Sequence, residues 1–142
     1  MARNAAVREF TPVQAINVGP DVYVTVSMKL VDGIVDYDVS QSYIRVPRET
    51  MQTIVWTIDA SKLPSNIEVA FDNPAITMFG GGSYQRTGPL TAQIDWTNMP
   101  SQEGQSFYYT LRMFGRIVNV TTSEVTYFAL DHDPTIHNEP PS

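Results

Sequence analysis

The densest run of chemistry-bearing side chains sits late in the chain. Asp131, His132, Asp133, His137 and Glu139 fall within nine residues, and both histidines of the sequence are among them. Imidazole and carboxylate groups together ligate zinc and other divalent ions, so Asp131, His132, Asp133 and His137 form a candidate metal set. The backbone works against that set. In an extended segment residues 131 and 133 share a face while 132 points the other way, and Pro134 keeps the chain extended. A structural or solvated segment is the competing reading, and no metal or other cofactor is predicted.

The second cluster is Gly80-Gly81-Gly82-Ser83, followed by Tyr84, Gln85 and Arg86. Successive glycine amides can cradle an anion. The Gly-Lys-Ser/Thr ending and the strand–loop–helix setting of a phosphate loop are missing, however. The glycines predict a hairpin-like loop running to Gly88-Pro89. In such a loop Tyr84, with Gln85 and Arg86 beside it, is the candidate contact set for a carbohydrate or other small ligand. No G-x-S-x-G elbow is present to activate a serine. Asp36 and Asp38 alternate along one polar face, where solvation accounts for them.

The elements that must hold these groups read as strands. Val22, Val24, Val26, Met28 and Leu30 alternate with Tyr23, Thr25, Ser27 and Lys29. A period of two sends the two sets to opposite faces. Asp32-Gly33 then signals a two-residue turn. With those two residues at the tip, Val31 faces Ile34, Lys29 faces Asp36, Met28 faces Tyr37 and Val26 faces Val39. Further strands are predicted around Val13–Val18, at Tyr43–Val46 as a short edge, from Gln52 to Asp59, and at Ile67, Val69 and Phe71. Asp72-Asn73-Pro74 reads as a turn before a short strand over Ala75–Phe79. Leu90–Thr97 reads as a half-buried strand. The segment 107–114 carries large groups on both faces and predicts a central strand that stops at Gly115. Ile117–Val120 and Val125–Leu130 complete the set. Residues 60–65 read as a loop or one helical turn.

Eight or so short strands with turn signals between them, and no amphipathic helical period, predict one antiparallel β-sandwich domain over 1–142. Residues 1–10 read as a loose arm and 131–142 as a Pro-rich tail. A closed barrel, which has no free sheet edges, is the alternative. Trp56 on a mid-chain strand resembles the buried tryptophan of immunoglobulin-like domains, but their cysteine pair is absent, so the likeness is one of architecture at most.

Composition narrows the function. Hydrophobic residues at 42% against 17% charged residues support a folded core. A net charge of -6 excludes the basic surface that non-specific nucleic-acid or anionic-membrane binding needs. The absence of cysteine removes disulfides, thiolate catalysis and Cys-ligated metals. No apolar run has the length of a membrane span or a secretion signal, so a cytoplasmic location is expected. The sequon Asn119-Val120-Thr121 is accordingly read as chance.

Asp133-Pro134 and Glu139-Pro140 give the late segment a second meaning. Within the sequence LDHDPTIHNEP at 130–140, the chain resembles the bacterial DP-EP family, named for those two dipeptides. The resemblance implies an immunoglobulin-like Greek-key β-sandwich of two sheets. It implies no catalytic residues, because that family has no assigned biochemical function. The run Asp133-Pro134-Thr135-Ile136 also resembles the end of the PixA/AidA inclusion-body proteins, which look longer than this chain. A physical role follows for the dipeptides. Proline fixes its own φ and restricts the residue before it. Asp133, Pro134, Ile136, Glu139 and Pro140 are therefore predicted to form a latch, with Ile136 plugging the sandwich end and Asp133 accepting backbone N–H bonds.

The function expected from these readings is a non-enzymatic binding or assembly module. Uncovered sheet edges or an aromatic sheet face would serve homo-oligomerisation. A carbohydrate- or small-ligand-binding module built on Tyr84, Gln85 and Arg86 is the alternative. A metal-dependent enzyme built on the late His/Asp cluster stands third.

Overall fold

A computed structural model describes residues 16–77 and 82–140, with the backbone alone described at 73, 74, 77 and 82–86. The arm at 1–10, the start of the first strand at Val13, the glycines at 80 and 81 and the last two residues lie outside the described residues. The fold is all-β, and the described residues form twelve strands in three sheets. In chain order they are β1 (Asn17–Val18), β2 (Val22–Val31), β3 (Ile34–Val39), β4 (Tyr43–Val46), β5 (Thr50–Lys62), β6 (Ile67–Thr77), β7 (Gly82–Gly88), β8 (Thr91–Thr97), β9 (Ser106–Tyr108), β10 (Thr110–Val118), β11 (Val125–His132) and β12 (Thr135–Asn138).

The β2–β3 hairpin has the register that alternation and turn chemistry predict. Val31 pairs with Ile34, Lys29 with Asp36, Met28 with Tyr37 and Val26 with Val39. Asp32 and Gly33 both take positive φ, at 51° and 79°, which is the requirement of a type I′ turn. This hairpin opens the large sheet, ordered β3-β2-β5-β8-β7, with β1 also against β5. Val24, Val26, Met28, Ile54, Trp56, Ile58, Ala92, Ile94 and Trp96 line its inner face and are buried.

Two three-stranded sheets, β11-β10-β6 and β4-β12-β9, make the facing layer. The chain passes from one to the other at Tyr109, between β9 and β10. Phe71, Leu111 and Met113 from the first small sheet, and Ile44, Val46 and Ile136 from the second, are buried in the same core. Trp56 meets Tyr109 edge-on at 5.5 Å, and Trp96 meets Phe107 at 5.1 Å. Such contacts add to the area that the aromatics bury. The result is a sandwich-like pair of layers.

Several sequence expectations need correction. The single central strand expected over 107–114 is two strands of different sheets, β9 and β10, and residues 60–62 of the expected loop or helical turn belong to β5. The pairing is mixed rather than purely antiparallel, since β1 and β2 run parallel to β5 and β4 runs parallel to β12. After β3 the chain crosses into the other layer as β4, then returns beside β2 in the same direction. Asp72-Asn73-Pro74 does not turn the chain but lies inside β6. There the register against β10 shifts between Leu111 and Met113, an irregularity of the kind that accommodates a proline in an edge strand. Gly115 does not end a strand either. It sits mid-β10, where a Cβ would press on the Phe128 ring and come within 2.5 Å of the Glu68 carbonyl oxygen. The expected loop through Tyr84, Gln85 and Arg86 is the strand β7, paired antiparallel with β8.

Candidate functional site

The late segment is held by the core. Ile136 is 0% exposed and Pro134 is buried. Residues 135–138 form β12, inserted between β4 and β9. Alternation sends Ile136 and Asn138 inward and Thr135 and His137 outward. Asn138, also 0% exposed, accepts the Trp96 indole N–H at 2.7 Å and donates to the Gln102 carbonyl at 3.2 Å. Buried Asn98 donates to the carbonyls of Val46 and Glu139, both at 3.1 Å. A buried polar group is tolerated when bonded in this way. Pro134 accepts the Tyr109 backbone N–H, while Asp133 takes the Thr110 hydroxyl at 2.8 Å instead of the backbone donors expected for it. Glu139 pairs with Arg45 at 3.0 Å, and Pro140 is exposed.

The candidate metal ligands are dispersed. Asp131 faces outward on β11 and is bound by Arg112 at 3.0 and 3.3 Å. That guanidinium holds the Asp131 carboxyl below its ordinary pKa. His132 takes the opposite face of β11 and meets Tyr37 of β3 edge-on at 5.7 Å. Burial lowers the His132 pKa, with the Asp133 carboxylate acting in the other direction. The Tyr37 hydroxyl donates to the Asp131 carbonyl at 2.9 Å, tying the two layers at this edge. His137 lies in a different sheet. Among the described residues no group of three or more His, Asp or Glu side chains comes together to hold a metal ion. Alternation along β11 and β12 is the physical reason.

Tyr84, Gln85 and Arg86 stand opposite Ile94, Gln93 and Ala92 of β8. Their side chains lie outside the described residues. The backbone loop that was to present them is replaced by ladder pairing.

Two other surfaces carry chemistry. The first is the outer face of β4-β12-β9. Register places Tyr43, Thr135 and Tyr108 in one cross-strand row, and Arg45, His137 and Ser106 in the next. Tyr108 is 74% exposed. The His137 ring stacks on Tyr43 at 5.8 Å, and the Arg45 guanidinium lies 5.4 Å from the centre of the same ring. Ser106 Oγ and His137 Nδ1 share a hydrogen bond of 2.7 Å. Hydroxyl, imidazole, guanidinium and carboxylate groups thus border exposed phenol rings on a sheet bolted down by Ile136 and Asn138. Sequence reading missed this face, although Ser106 and Tyr108 flank the inward Phe107 in plain alternation.

The second surface is a cleft of about 510 Å³ running from Ala60 and the Pro89-Leu90 turn across β6 to Phe114, Arg116 and Tyr127. Its lining is mostly apolar, with the Glu68–Arg116 pair, 2.9 Å apart, on it. Phe114 is 45% and Tyr127 73% exposed. Nothing in the local sequence pattern signals the cleft, because its walls come from five separate strands and turns. No protein-family model matches the chain, and none of the curated proteins compared with it is a match.

Proposed function

We propose that the chain is a non-enzymatic binding module whose recognition surface is the outer face of β4-β12-β9, and that it takes oligosaccharide ligands there. The carrying observation is the row Tyr43–Thr135–Tyr108 beside the row Arg45–His137–Ser106. A sugar ring has an apolar C–H face and an equatorial rim of hydroxyls. An exposed phenol suits the first, and bonded imidazole, guanidinium and hydroxyl groups suit the second. A rigid sheet presents both without ordering a loop on binding. The reading moves the expected aromatic contact from Tyr84 to Tyr108 and Tyr43.

The fold side of the proposal is an immunoglobulin-like Greek-key build of the DP-EP kind. Three features support it: the layered all-β body, the buried Trp56 on a mid-chain strand, and the two dipeptides flanking β12. The parallel β2–β5 pairing is a departure from that plan. A cytoplasmic setting belongs to the same reading, in line with a cysteine-free chain.

Titration calorimetry and amide chemical-shift mapping against a panel of soluble neutral and acidic oligosaccharides test it. Binding is expected to shift the amides of β4, β9 and β12, and Tyr108→Ala is expected to weaken it at least about tenfold. Tyr127→Ala, on the other small sheet, should leave it unchanged. A silent panel, or binding indifferent to Tyr108→Ala, overturns the reading.

A further inference from the structure

The tip of the β2–β3 hairpin is apolar where a hairpin tip is ordinarily polar. Val31 and Ile34 form its last cross-strand pair and are 40% and 70% exposed, with Leu30 behind them at 40%. The next pair on the same face is Lys29 with Asp36, one charge of each sign. Elsewhere on the molecule lies the cleft over β6, an apolar floor bearing one acidic and one basic side chain, Glu68 and Arg116. Knob and cleft therefore match in both properties. Branched aliphatic side chains meet an apolar trough, and a Lys/Asp pair meets a Glu/Arg pair that can be met in opposite sign.

We propose that the hairpin tip of one copy docks in the β6 cleft of a second copy. Ile34 and Val31 enter the trough against Phe114, with Lys29 set beside Glu68 and Asp36 beside Arg116. The contact joins two different patches, so it is heterologous: each copy keeps one free knob and one free cleft, and the assembly grows or closes into a ring. A two-residue tip covers little area, which places the interface in the weak, concentration-dependent class. The inference is independent of the oligosaccharide face, which lies on the other small sheet.

Sedimentation velocity and light scattering of the whole chain, from low micromolar to millimolar concentration, provide the test. The average mass is expected to rise with concentration beyond one chain. Ile34→Lys on the knob and Phe114→Lys in the cleft are each expected to weaken self-association at least about tenfold. Both positions are exposed, and unchanged circular dichroism and melting would show that each variant folds. Mixed together, the two variants should form a dimer that grows no further, because a single intact knob and a single intact cleft remain. Lys29→Glu should also weaken the assembly, and adding Glu68→Lys should restore it. A one-chain mass throughout the range overturns the proposal, as does association that survives both Ile34→Lys and Phe114→Lys.

Discussion

Asn138 shows how much one side chain can hold. Its carboxamide bonds to the Trp96 indole and to the Gln102 carbonyl from a site with no solvent contact. Asn138→Ala leaves the indole N–H buried and without its acceptor, and is expected to cost about 2–3 kcal/mol in urea unfolding. His132 supplies a pH dependence. Its folded pKa lies below the ordinary 6.5 because burial disfavours the charged ring. The unfolded chain then binds a proton first as pH falls. Stability is therefore full above about pH 6.5 and declines as pH drops from there toward the folded pKa. His132→Gln should flatten that part of the melting-temperature profile, leaving the carboxylate-driven loss at more acid pH. Gly115 is the third residue of this kind. With the Phe128 ring and the Glu68 carbonyl crowding the place a Cβ would take, Gly115→Ala is expected to destabilise by about 1–3 kcal/mol through overpacking.

At the scale of elements, legibility followed the range of the interaction. The β2–β3 hairpin could be read residue by residue because its pattern, turn and Lys29–Asp36 charges are all local. Strand positions β5 and β8 were legible for the same reason, but the single strand expected over 107–114 divides at Tyr109 into β9 and β10, which belong to different sheets. Direction was not. Alternation in Val22–Val31 and Thr50–Lys62 is identical for parallel and antiparallel neighbours, so the β2–β5 pairing had no signature. Local turn signals misled where longer-range pairing prevailed. Pairing to β10 at Phe71 and again at Ile76 holds the strand on either side of Asp72-Asn73-Pro74, and pairing to β8 turns the glycine-rich stretch from Gly82 onward into a strand. Of the site, the late segment's importance was visible in its prolines and Ile136. The Tyr43–Tyr108 row was not, because those residues lie far apart in the chain and meet only through β12. That strand is the element whose loss should matter most. Ile136→Ala is expected to cost about 2–5 kcal/mol. Deleting residues 135–142 should abolish the cooperative thermal transition seen by near-ultraviolet circular dichroism.

For the whole molecule, the arrangement of sheets predicts a gradient of local stability. Strands β5 and β10 are each flanked on both sides, and their inner faces carry Trp56, Ile54, Leu111 and Met113 with almost no exposure. Their amides should exchange most slowly with deuterium, close to the global unfolding limit. Those of the edge strands β3 and β7 should exchange fastest. Equal rates across β10 and β7 would contradict this order. The two proposed surfaces also suit each other. A weakly held oligosaccharide face repeated along an assembly gains apparent affinity from effective concentration alone, with no new contact.

One feature bears on how such a chain comes into being. β12 lies between β4 and β9, yet it follows both in the sequence. A ribosome delivers residues in order. The β4 segment thus waits through most of synthesis, joined late by β9, on either side of an unfilled slot, their main-chain groups open to any passing strand. The small sheet zips only after its middle member arrives. Substitutions that slow that last insertion would betray themselves as inclusion-prone expression well before they lowered the melting point of the finished protein.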